Sequence, residues 1–329
     1  MNFFNIDMHI SIIHDIKNIF KNIGHNIDSV CMSGHTWVNN EKQGVTEIIT
    51  PNNWKYIDQK MCDDFYNKYK DRLGQYDAFI HSYPPAFALL FEKWNKPIIT
   101  IACTRFDYPC VSNIRWLIEG LQRLEKNNQL IPIANNIFDQ KYCERFTDFS
   151  WSHIQSLCDY MDTKYTYSSD KKNIIWKRSD VKLAHKLIDN MFDISKPYNR
   201  IDIINKSNGV IHIPYNVSIM SAFEHYYSNV PMFVPTINCI RTWLKNRKKV
   251  LSEIYFDPHV FEIDNNWIEL EDWLIDSIMP DTIKFDSEDD LYRLIENADY
   301  YDISNKMKNH NIKRKELVYG QWKSKLEKI

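Results

Sequence analysis

The chain has 329 residues, of which 26% are charged and 44% hydrophobic, a composition typical of a globular protein with two domains of ordinary size. Its formal net charge of -2 is close to neutral, so the protein has no overall positive field that would attract nucleic acid or an anionic membrane. Apolar runs such as 84–91 are too short to span a bilayer, and the N-terminus lacks a signal-peptide pattern. The seven cysteines are scattered without a Cys-x-x-Cys pair, which predicts reduced thiols and a cytoplasmic location.

The first half of the chain alternates short apolar runs with amphipathic stretches, the pattern of a doubly wound α/β domain. Its apolar runs predict strands at 3–6, 27–32, 78–81, 97–103 and 130–134. A helical spacing of apolar residues predicts a helix over 11–22, closed by Gly24, and a second helix over 111–126.

The second half repeats this pattern after a polar, helix-poor stretch at 160–172, so we place the domain boundary between residues 162 and 163. The predicted domains are therefore 1–162 and 163–329, the second with a helical C-terminal tail over 304–327. Apolar runs predict further strands at 174–176, 201–204, 210–213, 230–234 and 260–263, and periodicity predicts helices at 180–191 and 267–278.

Polar side chains follow many of these strands, where ligands bind in open α/β sheets. In the first domain they are Asp7 and His9, then His35, then His81, then the segment 104–107 with Arg105 and Asp107. In the second domain they are Lys177 and Arg178, and the turn 214–218. The pattern predicts two Rossmann-like open-sheet domains facing across a cleft.

The segment 210–236 reads as strand, turn, helix and strand. If Ser218 caps the helix, the backbone N–H groups of 219–221 point at a phosphate. Glu224, about a turn and a half further on, is then placed to accept hydrogen bonds from ribose hydroxyls. The alternative is that Ser218 only caps the helix and that Glu224 is exposed to solvent. The aromatic neighbours of Glu224, Phe223 and Tyr226, make an unpaired carboxylate costly there.

"PYNVSIMSAFEHYYSNVPMFVP" resembles the donor-site segment of GT-B glycosyltransferases, and more loosely the uncharacterised glycosyltransferase-like proteins of large DNA viruses. The resemblance implies the GT-B fold, with Glu224 as the ribose ligand and the backbone of 217–219 on the phosphate. The predicted donor-binding set is Tyr215, Asn216, Val217, Ser218, Ile219, Glu224, Lys177 and Arg178. Asn216 stands where many retaining members carry a second glutamate, and glycine-rich phosphate loops are absent, so retaining and inverting courses both stay open.

The resemblance also implies a diphosphate neutralised by helix dipoles and basic side chains instead of a metal, and no Asp-x-Asp occurs in the sequence. Lys177 and Arg178 are the candidates, with a solvated strand end as the alternative. His9 or Asp7 would be the general base, with His35 and His81 as rivals, although a single histidine is more often structural. Arg105 and Asp107 would line the acceptor side or pair with each other.

The predicted function is metal-independent transfer of a hexose from a nucleotide sugar, UDP-glucose first, to a hydroxyl of a sugar or protein side chain. If the source is viral, the location would be the host cytoplasm. One alternative is a nucleotide-sugar epimerase on the same fold. The other is a non-catalytic descendant that binds a sugar nucleotide or a protein. The basic run 241–249 is interpreted as a solvated helix face, and nucleic acid or membrane partners are not expected.

Overall fold

The computed structural model describes residues 1–104, 106–107, 113–177, 181, 183, 188–193, 199–246, 250–251 and 267–329. The chain forms two compact units: residues 1–156 with 318–329 make the first, and 157–317 make the second. The predicted boundary after residue 162 lies close to this division. The end of the C-terminal tail, predicted for the second domain, belongs to the first unit.

The first unit contains a parallel six-stranded sheet in the order β2-β1-β3-β4-β5-β6. Its strands are β1 (Asn2–Asp7), β2 (Asn26–Cys31), β3 (Ala78–His81), β4 (Ile98–Ala102), β5 (Leu130–Ala134) and β6 (Ser152–His153). Its helices are α1 (Ile10–Asn22), α2 (Gln59–Leu73), α3 (Ile114–Lys126) and α4 (Ile137–Thr147), with 3₁₀ segments Thr36–Asn39, Trp54–Tyr56 and Pro85–Trp94. The five strands predicted for this half are thereby confirmed.

Helix α1 shows how local sequence sets the packing of this unit. Ile12, Ile16 and Ile19 repeat at helical spacing, and all three are buried against the sheet. The helix ends at Asn22, and Gly24 follows with φ +88°, a left-handed conformation that glycine adopts without strain. The predicted closing role of Gly24 is confirmed.

The second unit contains a parallel sheet in the order β11-β10-β9-β7-β8. Its strands are β7 (Lys172–Lys177), β8 (Ile188–Asp193), β9 (Ser207–Ile213), β10 (Met232–Pro235) and β11 (Ile283–Phe285). Its helices are α5 (Arg200–Lys206), α6 (Met220–Tyr227), α7 (Ile237–Lys245) and α8 (Glu288–Asn297). The long C-terminal helix α9 (Tyr300–Leu326) begins in this unit and ends in the first.

Three of the predicted elements in the second half are wrong. Residues 201–204 lie in helix α5, because Asn199 caps it by accepting from the backbone N–H groups of Ile201 and Asp202. Residues 188–191, predicted as the end of a helix, belong to β8. The predicted helix 267–278 is replaced by the 3₁₀ segments Trp267–Leu270 and Asp272–Leu274. The predicted strand 260–263 lies outside the described residues.

The end of α9 is held in the first unit by an aromatic contact. The ring centroids of Trp322 and Phe20 lie 5.2 Å apart, and Trp322 is almost fully buried. Beside it, Asn22 donates a hydrogen bond of 2.8 Å to the hydroxyl of Tyr319. These contacts explain why the tail predicted for the second domain packs with the first.

The described cysteines are free, as the sequence predicted, and all are buried, while Cys110 lies outside the described residues. Burial raises the pKa of the Cys31 thiol to about 12. Within the described residues, no helix is both long and apolar enough to span a membrane.

The two sheets share a feature that places the candidate sites. In the first sheet β1 is paired with both β2 and β3, so the chain moves to one side of β1 and then to the other. In the second sheet β7 is flanked in the same way by β8 and β9. Ligands of open α/β sheets bind outside the carboxyl ends of strands at such switch points. The ends of β1 and β3, and of β7 and β9, are therefore the places to examine.

Two helical glycines test the packing, because replacing each by alanine should change the stability of the protein in opposite directions. A Cβ at Gly320, exposed in α9, meets nothing within 4 Å, whereas a Cβ at Gly120 in α3 would lie 2.6 Å from Leu89 Cδ2. We expect Gly320→Ala to stabilise the protein by about 1 kcal/mol through helix propensity. We expect Gly120→Ala to destabilise it by about 1–2 kcal/mol, because overpacking exceeds that gain. Urea denaturation of both variants measures the signs; equal signs would contradict the packing described.

Candidate functional site

At the switch point of the first sheet, Asp7 joins the end of β1 to the loop that follows β3. Its carboxylate is fully buried and accepts the backbone N–H groups of Ser82 at 2.6 Å, His9 at 2.8 Å and Tyr83 at 3.2 Å. The Ser82 hydroxyl adds a bond of 2.9 Å. Burial raises the pKa of Asp7 to about 6, and the hydrogen bonds from His9 and Ser82 act against that rise. With its oxygens engaged by these donors, Asp7 is a structural anchor of the loop.

His9 lies at the start of α1 and is its N-cap residue, half-buried. Its Nδ1 accepts the N–H of Ile12 in a long bond of 3.5 Å, so the neutral ring carries its proton on Nε2. Burial, and to a smaller extent the charge of His35, lowers the pKa of His9 to about 4. His35 is therefore near enough for its charge to act on His9, and His9 is neutral at pH 7.

His35 is exposed in the loop after β2, where its ring lies 6.3 Å from that of Trp37. His81, in contrast, is fully buried at the end of β3, and its Nε2 lies 2.9 Å from the hydroxyl of Thr100 on the neighbouring strand. Burial lowers the pKa of His81 to about 3. A ring sealed between strands does not fit the predicted role of a base that meets an acceptor.

The acceptor-side pair of the sequence prediction is only partly described. Asp107 is buried and accepts a hydrogen bond of 3.2 Å from the hydroxyl of Tyr142 on α4. Arg105 lies outside the described residues. A pairing of Arg105 with Asp107 stays a prediction.

In the second sheet, the switch point brings two of the predicted segments to one edge. Lys177, the last residue of β7, is the register partner of Ile213, the last residue of β9. The turn 214–218 therefore starts beside the end of β7. Within the turn, Asn216 accepts the backbone N–H of Val217 at 2.7 Å through its side chain. Arg178 lies outside the described residues.

The predicted cap of the following helix is wrong. Ile219, not Ser218, is the N-cap residue of α6, and it makes no side-chain cap bond. The Ser218 hydroxyl donates instead to the buried carboxylate of Asp272 at 2.6 Å.

The start of α6 consequently differs from most other helix starts in the described chain. In six other helices the N-cap side chain accepts a hydrogen bond from a backbone N–H group of the first turn. These N-cap residues are His9, Asp58, Asn136, Asn199, Thr236 and Ser287. Among the described helices whose N-cap is known, α3 also lacks such a bond. At α6 the first backbone N–H groups have no side-chain cap. Such groups, together with the helix dipole, attract an anion.

Glu224 is buried in α6 and has protein partners. Its Oε1 accepts from the hydroxyl of Tyr160 at 2.5 Å and forms a very short ion pair with Arg200, the first residue of α5. The Glu224 side chain is 4% exposed and that of Arg200 15%. The alternative of a solvent-exposed Glu224 is therefore wrong. The cost of burying this carboxylate is offset by a paired guanidinium that the sequence analysis missed.

Arg200 could have been suspected from one signal. It follows Asn199 at the start of a helix, and helices between parallel strands begin at the carboxyl edge of the sheet. Nothing local, however, indicates its partner, which lies 24 residues further along the chain.

Behind the turn lies a buried acidic pair, Glu271 and Asp272. The pKa of Glu271 is raised well above its usual range by burial and by the charge of Asp272. Within the described residues, no group of three or more His, Cys, Asp or Glu could hold a metal ion. Independence from metals stays a proposal.

No protein-family model matches the chain, and no curated protein matches its sequence. Among solved structures, the spinosyn forosaminyltransferase SpnP is 10% identical with a TM-score of 0.50, covering 99% of each chain. The glycotransferase of kitacinnamycin is 9% identical with a TM-score of 0.49, covering 98% of each chain. The glycosyltransferase SnogD from Streptomyces nogalater is 7% identical with a TM-score of 0.46, covering 98% of this chain and 99% of the other. With its two parallel α/β units and its C-terminal helix, this chain shares the GT-B fold of the forosaminyltransferase.

Proposed function

We propose that the protein is a metal-independent glycosyltransferase that moves a hexose from a nucleotide sugar to a hydroxyl acceptor, with UDP-glucose as the first donor to test. The observation that carries the proposal is the uncapped start of α6, which follows β9 at the switch point of the second sheet. In a fold of this type, such a helix start suits the diphosphate of a nucleotide sugar.

In the proposed donor site, the backbone of 217–219 and the first N–H groups of α6 hold the diphosphate, and Lys177 and Arg178 neutralise it. Glu224 keeps a role toward the ribose, because its bonds to Tyr160 and Arg200 both go to Oε1. A carboxylate has about four acceptor sites, which leaves capacity on Oε2.

On the first unit, we propose His9 as the general base, with His35 beside it. At pH 7 its ring is neutral, the form that accepts a proton. In an inverting course the acceptor oxygen bonds to the sugar carbon as the bond to the diphosphate breaks, and the acceptor proton passes to His9. For Nε2 to receive it, the ring proton must move to Nδ1, which requires the long bond from Ile12 to open.

One substitution tests the helix start while leaving the helix intact. Met220 is the first residue of α6, a position that proline tolerates, and Ile219 before it is extended, as proline requires. Met220→Pro removes one N–H, and Met220→Ala removes the same side chain but keeps the N–H. We expect proline to weaken nucleotide binding about 10- to 100-fold, the effect of losing a bond to a charged group, and alanine to leave it nearly unchanged.

The measurement is a thermal-shift titration of UDP, GDP, ADP, CMP and their common sugars, with and without a chelator. A ligand at about 100 times its dissociation constant stabilises the protein by about 2.7 kcal/mol. A chelator-insensitive shift that is reduced in Met220→Pro but not in Met220→Ala supports the donor site. The nucleotide that gives this shift identifies the nucleobase of the donor. If no nucleotide binds, or if both variants bind equally, the proposed site is refuted. Turnover of the donor without an acceptor would indicate the epimerase instead.

A further inference from the structure

The second unit has a cavity of about 620 Å³ formed by three pieces of chain. Its lining comes from the segment 164–167, from the end of α6 and the turn after it, and from one face of α9: Lys164, Tyr165, Thr166, Tyr167, Tyr227, Asn229, Tyr301, Ser304, Asn305, Lys308, Asn311, Ile312 and Lys315. The cavity touches the end of α6, whereas the proposed donor turn lies at its start. It is therefore a different site.

The charged side chains that line this cavity are all cationic. Its lining holds three lysines, Lys164, Lys308 and Lys315, and no carboxylate. Lys315 pairs with Asp159 at 3.0 Å, whose side chain is only 1% exposed. Burial and the charge of Lys315 lower the pKa of Lys164 to about 8. An anion entering the cavity would relieve this repulsion, and the lining itself has no carboxylate to oppose it, while Asp159 and Asp162 act on Lys164 from outside the lining.

The cavity also gathers large apolar side chains that are open to solvent. Tyr301 is 68% exposed, Ile312 56% and Tyr167 50%, and all three contribute to the lining. Aromatic rings that are exposed beside cationic groups are typical of ligand-binding surfaces. The ring of a ligand can stack on the aromatic side chains while its anionic group binds the cations. The Lys164 ammonium already lies 3.5 Å from the centroid of the Tyr227 ring and donates to the Tyr227 carbonyl.

We propose that this cavity binds a phosphate monoester carried on a ring, a sugar phosphate or a nucleoside monophosphate. Lys164 and Lys308 hold the phosphate, and Tyr167 and Tyr301 cover the ring. The volume lies within the range of about 300–1,000 Å³ that small-molecule sites occupy. The inference does not rest on the proposed glycosyl transfer.

Calorimetry on the full chain tests this with glucose 6-phosphate, UMP, inorganic phosphate, glucose and uridine. We expect glucose 6-phosphate or UMP to bind, and the unphosphorylated compounds not to. Lys308→Glu should weaken that binding at least about tenfold, or 1.4 kcal/mol, and Tyr301→Ala should weaken the ring compounds but not inorganic phosphate. The two ring compounds distinguish a sugar source from a nucleoside source.

The matched control is Lys306→Glu, on the same helix but outside the cavity, where Lys306 pairs with Asp302. It changes net charge as Lys308→Glu does and should leave binding intact. UMP binding that falls in Met220→Pro but not in Lys308→Glu belongs to the donor turn and overturns the cavity proposal for nucleotides. Equal loss in both lysine variants, or no binding of either ring phosphate at about 1 mM, overturns it altogether.

Discussion

Lowering the pH from about 6.5 to 4.5 should lower the free energy of unfolding by about 2 kcal/mol for each of three buried histidines, because their rings resist protonation in the folded protein. His81 and His212 are fully buried and His225 is 2% exposed. Burial lowers the pKa of each ring to about 3, from an ordinary 6.5. The unfolded chain binds these protons first, so each ring contributes stability above pH 6.5 that is lost as the pH falls toward 3.

Asp7 acts in the opposite direction, as does Glu271, whose pKa burial raises well above its usual range. The folded pKa of Asp7, about 6, lies above the ordinary 3.8, so its contribution to stability is complete below pH 3.8 and is lost as the pH rises through 6. Between pH 6 and 4.5 it returns about 2 kcal/mol, which offsets only part of the histidine effect. The histidines outnumber these two carboxyls, so we expect the free energy of unfolding to fall as the pH is lowered from 6.5 to 4.5, measurably against the roughly 5–15 kcal/mol by which domains are stable.

The measurement is urea denaturation between pH 7.5 and 4.5, comparing the wild type with His212→Phe. In the described part of the chain neither ring nitrogen of His212 has a hydrogen-bond partner, and its ring contacts Trp273 at 4.7 Å. Phenylalanine keeps that contact without titrating, so the slope of unfolding free energy should fall by about 1.4 kcal/mol per pH unit. Met232→Leu, also buried, should change stability without changing the slope. An unchanged slope in His212→Phe would contradict a neutral buried ring.

Glu224→Ala should destabilise the protein by about 3–5 kcal/mol, because it leaves the guanidinium of Arg200 buried without its partner. Both side chains of this ion pair are largely buried. The matched exposed pair is Lys60 and Asp64, 2.5 Å apart on the surface of α2. Asp64→Ala should cost about 0.5 kcal/mol or less.

The double variant Glu224→Leu with Arg200→Met separates structure from binding. It removes both charges, so it should recover most of the lost stability. If the carboxylate also holds the ribose, the double variant will still bind nucleotide more weakly, by about 1.5–3 kcal/mol. Nucleotide affinity equal to that of the wild type, in a double variant of recovered stability, would make Glu224 a purely structural residue.

The sequence was sufficient for elements whose cause is local. The strands at 78–81 and 130–134 were predicted with the observed bounds, because apolar runs of four or five residues bounded by polar residues favour strands, whereas helices are usually longer. Helix α1 followed from apolar spacing and from Gly24, the residue able to take a positive φ at no cost. The alternation of such elements was enough for two open-sheet domains, since parallel strands need helical crossovers.

Partners distant in the chain were decided only by the tertiary structure. Ser218 was expected to cap α6, but the fold brings Asp272, 54 residues away, to its hydroxyl. Glu224 was expected to bind the ribose of a ligand, but in the folded protein its carboxylate pairs with Arg200. His81 was expected at an accessible strand end, but in the folded protein its ring is buried and lies within hydrogen-bonding distance of Thr100. Periodicity reports which face of an element is buried, whereas the hydrogen-bond partner of a polar side chain depends on which elements become neighbours.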